Sequence, residues 1–418
     1  MSTTPKDRER LRAVAAEYAE IVNSNVMNAR REIWRRSNRL EERTVPFVIE
    51  DNGTFFRDLT PAPECEGGLE RGIEQQMLRA ITNYRCIDDD RVFPSFCAIH
   101  WAIGRPNVCP EMALTHAPDA TGRELGYESN TPLADLANSF HKLQRGPFKV
   151  DREETQRRLE AIENMIGDIL PVRIHGSQTL SAGGGMASRA VLLMGMDNFY
   201  MAMIDQPENV HQLFDFMATE GAEFLSWLEA EGLITPNNGE FSVGSGSCGY
   251  TDELPRRAVD DNGTLLPEDC WGFQEAQGAV GLSPDMYAEF IHPYQRRIGD
   301  RYGLLYYGCC EPVHELWPVI KGFKSLRKIT VCPWCNQEIM AEALGKEIVF
   351  SRKPHPMKLC GETFDPEEFE QDIRDTLDIA KDNFIEIVFR DTCTLNGAMK
   401  DRLADACAIM RHLIGRDG

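Results

Sequence analysis

From about residue 170 onward, the sequence alternates between short apolar runs and amphipathic helical stretches. The runs are rich in β-branched and aromatic residues and lack regular polar alternation, which is typical of parallel strands buried on both faces. The predicted strands are residues 170–175, 241–247, 270–274, 303–310, 327–332, 347–352 and 384–390, with an eighth earlier in the chain at 93–101. Eight such units predict an α/β protein with a (β/α)8 TIM barrel. An open doubly wound sheet is the alternative, although no Gly-x-Gly-x-x-Gly follows a strand.

The remaining segments are predicted to surround this barrel. Residues 1–90 contain a charged helical stretch and proline-rich loops, and they predict an N-terminal helical extension packed on a barrel of residues 91–418. Two insertions, 102 to about 147 and 249–269, follow predicted strands. We therefore expect both insertions to lie on the catalytic face as partial lids.

Composition limits the partners and the compartment. The net charge is -21, which disfavours binding to a phosphate backbone, so we expect no nucleic-acid partner. No stretch predicts a membrane helix or a signal peptide. Thirteen cysteines spread over 418 residues are typical of reduced thiols, so we expect a cytoplasmic protein. The oligomeric state is left open, with a homodimer as one candidate.

Active sites of these barrels form where the strands end, so reactive side chains at predicted strand ends are the candidates. They are His175, Cys248, Gln274, Glu275, Tyr307, Cys309, Cys310, Glu311, Cys332, Cys335, Lys353, His355, Asp391 and Cys393. Three thiols and a carboxylate converging from two strands would suit Zn²⁺. Tyr307 and Cys309 share a strand face, whereas Cys310 joins them only if the backbone turns, which Pro312 favours.

Each candidate also has a structural interpretation. The cysteines could be ordinary buried residues, and His175 is either a general base or a structural histidine. Cys332-Pro-Trp-Cys335 is either a redox pair, half a zinc site or a pair of incidental loop cysteines. Lys353 and His355, which flank a proline after a strand, are candidates to hold an anionic group of a substrate.

Three segments in order carry a family resemblance. Residues 269–274 (Asp-Cys-Trp-Gly-Phe-Gln), 281–287 (Gly-Leu-Ser-Pro-Asp-Met-Tyr) and 303–311 resemble the uroporphyrinogen decarboxylase superfamily. That superfamily has three motifs in the same order: a W-G-x-D-like strand, an I-S-P-x-x-F helix start and an H-x-C-G strand. The resemblance covers roughly residue 93 to the C-terminus and implies a (β/α)8 barrel.

The superfamily has two main branches. Its decarboxylases bind substrate carboxylates with an N-terminal, arginine-rich G-R-Y segment, which this sequence lacks. The Tyr-Gly-Cys-Cys-Glu-Pro segment looks closer to the zinc-dependent, corrinoid-linked methyltransferases, and among these to the O-demethylase-like enzymes. By position, Cys309 and Cys393 match two zinc ligands of that branch. Tyr307 stands where its histidine ligand would be, so Cys310, Glu311 or Glu275 is expected to substitute.

The resemblance implies a zinc-dependent methyltransferase that moves a methyl group between a small methylated substrate, such as a methoxylated aromatic, and a corrinoid. Because the chain has no D-x-H-x-x-G corrinoid signature, we expect the cobalamin on a separate carrier protein. The expected zinc ligands are Cys309, Cys310 and Cys393; the catalytic candidates are Glu275, Glu311 and His175; and the substrate contacts are Trp271, Tyr307, Lys353 and His355. The alternatives are a decarboxylase or other lyase on the same barrel, and a non-catalytic zinc-binding protein.

Overall fold

The computed structural model describes residues 4–50, 59–118, 124, 126–176, 179–180, 182–259, 263–392 and 399–416. The strands within these ranges are β1 (Phe47–Ile49), β2 (Cys97–Ile99), β3 (Ala102–Gly104), β4 (Leu114–Ala117), β5 (Gly126–Ser129), β6 (Lys149–Asp151), β7 (Val172–Ile174), β8 (Trp271–Gln274), β9 (Leu304–Tyr307), β10 (Leu326–Val331), β11 (Val349–Arg352) and β12 (Ile385–Phe389).

Helices precede, follow and separate these strands. They are α1 (Pro5–Val22), α2 (Asn25–Asn38), α3 (Gly68–Cys86), α4 (Leu136–Ser139), α5 (Arg152–Ile166), α6 (Met186–Met194), α7 (Met196–Asp205), α8 (Pro207–Ala230), α9 (Pro284–Phe290), α10 (His292–Gly299), α11 (Val313–Ile320), α12 (Gln337–Leu344), α13 (Met357–Cys360), α14 (Pro366–Ile379) and α15 (Met399–Leu413). None of the helices in the described part of the chain combines the length and the apolar character needed to cross a membrane.

A six-stranded parallel sheet forms the centre of the fold, with the strand order β1-β12-β11-β10-β9-β8. The sheet is curled into a half-barrel, and β2 and β7 form a separate parallel pair. Five of the six strands are buried along most of their length, which explains their apolar sequences. The predicted α/β class is therefore confirmed, while the hydrogen-bonded sheet of the described residues stops at a half-barrel.

Seven of the eight predicted strands are present, and the strand predicted at 241–247 is wrong. The backbone there turns sharply, because Gly244, Ser245 and Gly246 have φ angles of 111°, 46° and 82°. An isolated antiparallel bridge between Ser242 and Cys248 closes this turn.

One strand of the sheet was missed. It is β1, whose three residues lie within the segment predicted as an N-terminal helical extension and pair with β12. The division of the chain at residue 90 stays a prediction, but this segment contributes an edge strand as well as helices.

The first predicted insertion has paired ends. Strand β3 runs antiparallel to β6, with Ala102 opposite Asp151 and Gly104 opposite Lys149. Between them, β4 and β5 form an exposed antiparallel hairpin. The two ends of the insertion therefore lie side by side, so that it is attached to the rest of the fold at one place.

A buried ion pair lies between the sheet and the turn at 244–247. Lys328 on β10 and Glu386 on β12 are both completely buried, and Lys328 Nζ donates to Glu386 Oε2 at 2.7 Å. The same ammonium donates to Ser247 Oγ at 2.7 Å and to the Cys248 carbonyl at 3.1 Å. Ser351 Oγ on β11 donates to Glu386 Oε1 at 2.6 Å. Three neighbouring strands and the turn are thus joined through one charged pair.

Two tryptophans enclose the Lys328 ammonium. Its Nζ lies 5.1 Å from the ring centroid of Trp34 on α2 and 5.5 Å from that of Trp271 on β8. Burial lowers the pKa of Lys328, and Glu386 opposes that shift. The aromatic rings supply further attraction to a cation that has lost its water.

Removing one partner of this pair should destabilise the protein strongly. We expect Lys328→Met to lower the free energy of unfolding by about 3–5 kcal/mol, because it leaves the Glu386 carboxylate buried and unpaired. Urea denaturation would measure the loss. The double variant Lys328→Met/Glu386→Leu should recover much of it, and a double variant no more stable than the single one would contradict this assignment.

Candidate active site

A sharp turn after β9 brings two thiols together. Gly308 has a φ of 96°, which favours glycine, and its amide donates to the Gln274 carbonyl at the end of β8, at 2.8 Å. The chain therefore leaves the strand direction before Cys309 and Cys310, and the two Sγ atoms lie 3.6 Å apart. Cys310 joins the face of Cys309 only if the backbone turns, and the backbone does turn. The turn is made at Gly308 and not at Pro312.

The Glu311 side chain accepts hydrogen bonds from backbone amides in and beside this turn. It is completely buried, and its Oε1 accepts from the Ala276 amide at 2.8 Å while its Oε2 accepts from the Cys309 amide at 2.9 Å. Burial raises the pKa of Glu311, and the backbone amides oppose that rise. Since both oxygens bind main-chain amides, Glu311 fixes the loop that carries the thiols.

Cys309 is the more acidic thiol of the pair. A hydrogen bond from Cys310 lowers the pKa of Cys309 to about 7, with further lowering by Arg390 and Lys353 against the effects of burial and Glu311. The same hydrogen bond raises the pKa of Cys310. As the pH rises through about 7, Cys309 therefore loses its proton and carries the negative charge of a nucleophile or metal ligand.

The end of β12 supplies charged groups to the thiols. Asp391 has a φ of 58°, and its Oδ2 lies 3.6 Å from Cys310 Sγ. Arg390 pairs with Glu50 at 3.1 Å; burial alone would lower its pKa, but Glu50 and the nearby thiols raise it. Cys393, the predicted distal zinc ligand, lies outside the described residues, two positions after Asp391.

Glu275, at the end of β8, is the second buried carboxylate of the site. Its oxygens accept from Ser188 Oγ at 3.1 Å and from the Gln277 amide at 2.5 Å. Burial and the neighbouring Glu311 raise the pKa of Glu275 to about 7. A Cβ at Gly185 would lie 2.8 Å from Glu275 Oε1, so the glycine leaves room for this carboxylate. Glu275 can hold or release a proton near neutral pH.

Tyr307 occupies the position where the resemblance places a histidine. It is completely buried, its hydroxyl lies 2.8 Å from the hydroxyl of Tyr287, and burial raises its pKa well above the usual value. Tyr287 donates to Gln295 Oε1 at 2.8 Å, and Gln295 Nε2 donates to the Glu275 carbonyl at 2.7 Å. Tyr307 thus belongs to a hydrogen-bond chain that supports the Glu275 backbone.

His175 and Trp271 are held by main-chain groups. His175 Nε2 lies 2.7 Å from the Pro236 carbonyl, its ring stacks on Phe241 at 3.7 Å, and burial lowers its pKa. Trp271 is completely buried and donates to the Gly249 carbonyl at 2.9 Å. Neither contact brings these residues to the thiol pair.

Lys353 and His355 follow β11. Lys353 is buried and donates to the Ser245 carbonyl at 2.7 Å and to Tyr306 OH at 2.9 Å, while its charge lowers the pKa of Cys309. His355 Nδ1 accepts from the Met357 amide at 3.2 Å. Lys353 therefore contributes positive charge to the site, whereas His355 caps a local turn.

A second thiol pair lies next to the loop that carries Cys309 and Cys310. Cys332 and Cys335 have Sγ atoms 3.5 Å apart, and Cys335 Sγ lies 3.9 Å from the Glu311 carbonyl. A hydrogen bond from Cys332 lowers the pKa of Cys335 to about 6, with help from His314. This pair is reduced, and all cysteines in the described ranges are free thiols.

A cavity of about 400 Å³ opens beside Glu275. Gly184, Gly185 and Ser188 form one side, and the guanidinium groups of Arg105 and Arg189 form another. Both arginines face the buried Glu220, at 2.6 Å and 3.8 Å respectively. The cavity is large enough for a small substrate, and its two arginines are paired with the carboxylate of Glu220.

The donor set fits zinc in part. In a tetrahedral zinc site with Zn–S bonds near 2.3 Å, two sulfurs are separated by roughly 3.8 Å. The 3.6 Å between Cys309 and Cys310 is close to that value. Within the described ranges, however, no group of three or more His, Cys, Asp or Glu residues is arranged to hold a metal. A third ligand would have to come from outside these ranges, where Cys393 lies.

Comparisons with known proteins establish the fold alone. No family model matches the chain, and no curated protein matches it. A solved structure, a methyltransferase from Methanosarcina mazei, matches with a TM-score of 0.51 and 12% sequence identity. The match covers 92% of this chain and 98% of the other. The resemblance to the uroporphyrinogen decarboxylase superfamily stays a prediction.

The raised pKa of Glu275 predicts a pH-dependent stability. The neutral carboxyl is favoured in the folded protein, so its stabilising contribution is complete below the unfolded pKa of 4.5 and is lost as the pH rises through about 7. Glu275→Gln should remove this loss. Between pH 4.5 and pH 8, the free energy of unfolding of the wild type should fall by up to about 3 kcal/mol more than that of the variant. Chemical denaturation across this range would measure it.

Glu347→Gln, a change at an exposed carboxylate, is the matched control. Its stability curve should run parallel to that of the wild type. A Glu275→Gln curve that also runs parallel to the wild type would contradict a Glu275 titration near neutral pH.

Proposed function

We propose that this protein is a zinc-dependent methyltransferase, which moves a methyl group between a small methylated substrate and the corrinoid of a separate carrier protein. The observation that carries the proposal is the Cys309–Cys310 pair, whose Sγ atoms lie 3.6 Å apart at the end of a parallel strand. The shared fold with a protein named as a methyltransferase supports methyl transfer in general.

Cys309, Cys310 and Cys393 would hold the zinc. When bound, zinc acts as a Lewis acid on a leaving oxygen or keeps a sulfur nucleophile deprotonated at neutral pH. The low pKa of Cys309 favours metal binding, because a thiol must lose its proton to become a ligand. Glu311 would keep both thiols in place through its two bonds to backbone amides.

Glu275 would donate the proton that the leaving oxygen needs. Methyl transfer from an ether leaves an oxygen that needs a proton, and Glu275 has a pKa of about 7 from which to supply it. It faces Ser188 at the wall of the 400 Å³ cavity, where the substrate would lie. Lys353 and Arg390 would moderate the negative charge of the thiols and carboxylates.

We also propose that the barrel is closed and that the carrier protein docks on one of its faces. The β2–β7 pair would fill the gap between β1 and β8, completing a ring of eight parallel strands. The carrier protein would dock over the strand ends, beside the insertion that β3 and β6 enclose. The free thiols of the described residues suit a reducing compartment such as the cytoplasm.

A decarboxylase is the second candidate, and one observation favours it. Arg105 and Arg189 converge on the cavity next to Glu275, as the binding of a substrate carboxylate would require. Glu220 neutralises part of this charge, since Arg105 contacts both of its carboxylate oxygens. Methyl transfer remains the better-supported reaction, because a decarboxylase would have no use for the acidic thiol pair.

Metal analysis tests the zinc site. We expect about one zinc ion per wild-type chain and loss of most of it in Cys309→Ala, because that variant removes the more acidic thiol. Elemental analysis of the purified proteins would measure it, with Cys86→Ala on α3 as a matched control that should retain the metal. A zinc-free wild type, or full zinc in Cys309→Ala, would exclude the proposed ligands.

Turnover tests the reaction. Given a panel of methoxylated aromatics and methylamines with cob(I)alamin, the wild type should form methylcobalamin, which is detected by its absorbance. Glu275→Gln should lower kcat by roughly 10²- to 10⁴-fold if it supplies the proton. Release of CO₂ from carboxylated substrates without methyl transfer would instead support the decarboxylase.

A further inference from the structure

A second cavity lies far from the thiols in sequence, among the N-terminal helices. It has a volume of about 290 Å³ and is bounded by α1, by one face of α3 and by the segment 91–94. Gln75 and Gln76 form its exposed rim, and Asn83 lies at its buried end. None of its lining residues belongs to the candidate active site.

Asn83 is buried, and its amide group makes no hydrogen bond to any other described residue. The residue is 1% exposed, and within the ranges that the structure describes neither its Nδ2 nor its Oδ1 has a partner. A buried amide normally satisfies both groups, because an unpaired buried donor or acceptor has lost its water without gaining a partner. The side chain therefore presents one donor and one acceptor to whatever enters the cavity.

Two arginines line the same cavity. Within the described part of the chain, Arg79 makes no hydrogen bond or ion pair. Arg91 Nη2 donates to the Ile49 carbonyl at 2.7 Å, and its buried Nε, which has no hydrogen-bond partner among the described residues, lies 4.0 Å from Asp89 Oδ2. No aspartate or glutamate is among the lining residues, although the chain as a whole carries a charge of -21. Arg79 thus brings to the cavity a cation that no carboxylate of the described ranges pairs, whereas Arg91 is already paired with Asp89.

We propose that this cavity binds a small hydroxylated carboxylate. Arg79 and Arg91 would hold the carboxylate, since guanidinium groups pair well with planar anions. Asn83 Nδ2 would donate to the ligand, and Asn83 Oδ1 would accept from its hydroxyl. An ammonium group could not replace that hydroxyl without repulsion from the two arginines. Phe93 and Tyr18 would pack against the carbon atoms of the ligand.

Calorimetric titration of the purified protein tests this site. The probes are glycolate and lactate, with acetate, glycine and inorganic phosphate as comparisons. We expect the two hydroxycarboxylates to bind more tightly than acetate, glycine or phosphate. Arg79→Gln should weaken glycolate binding by about 10- to 100-fold, because it removes a charged hydrogen bond. Arg71→Gln, which makes the same change on α3 outside the cavity, is the matched control and should bind as the wild type does.

Asn83→Leu separates ligand binding from folding. This variant removes the two unpaired groups with little change of shape, so its thermal midpoint without ligand should equal or exceed that of the wild type, while glycolate binding is lost. Cys309→Ala should bind glycolate normally, which distinguishes this cavity from the active site. The proposal would be overturned if no hydroxycarboxylate bound the wild type. Undiminished binding to Arg79→Gln, or a preference for phosphate, would overturn it equally.

Discussion

The buried pair of Lys328 and Glu386 constrains the whole sheet. Two opposite charges without water must lie in contact, so β10, β11 and β12 have one register relative to each other. The pair also requires Ser247 and the Cys248 carbonyl to approach the ammonium, which forces residues 244–246 into left-handed backbone conformations. An apolar contact tolerates small shifts of one strand against another, whereas a shift here would separate two buried charges.

The candidate site uses the same principle at the ends of the strands. Glu311 is a buried carboxyl group whose oxygens accept hydrogen bonds from amides at two strand ends, and it sets the position of Cys309 relative to Ala276. The acidic Cys309 and the weakly acidic Glu275 then share one electrostatic environment, in which each negative charge opposes the next. Such a site favours binding a cation and holding a proton, the two tasks that the proposed function assigns to it.

Most strands were predictable because buried parallel strands are largely apolar, a signal that is strong in β9 and β12 and weaker in β10, which contains Arg327 and Lys328. Strand β1 was missed, since three residues give no periodicity. The strand predicted at 241–247 is wrong because the chain turns there and places the Ser247 hydroxyl on the distant Lys328. The thiols, Glu275 and Glu311 were identified as candidates by their strand-end positions. Ser188 was missed because it lies 87 residues from Glu275 and carries no local signal. Cys393 stays a prediction.

The pairing of β3 with β6 has an evolutionary consequence. Because Gly104 and Lys149 are adjacent across that ladder, the residues between them form a module with one point of attachment. Such a module can be lengthened, shortened or exchanged without a change in the sheet, since no strand of the half-barrel lies within it. Descendants of one ancestral scaffold could thus diverge in this hairpin, while the residues at the strand ends are inherited unchanged.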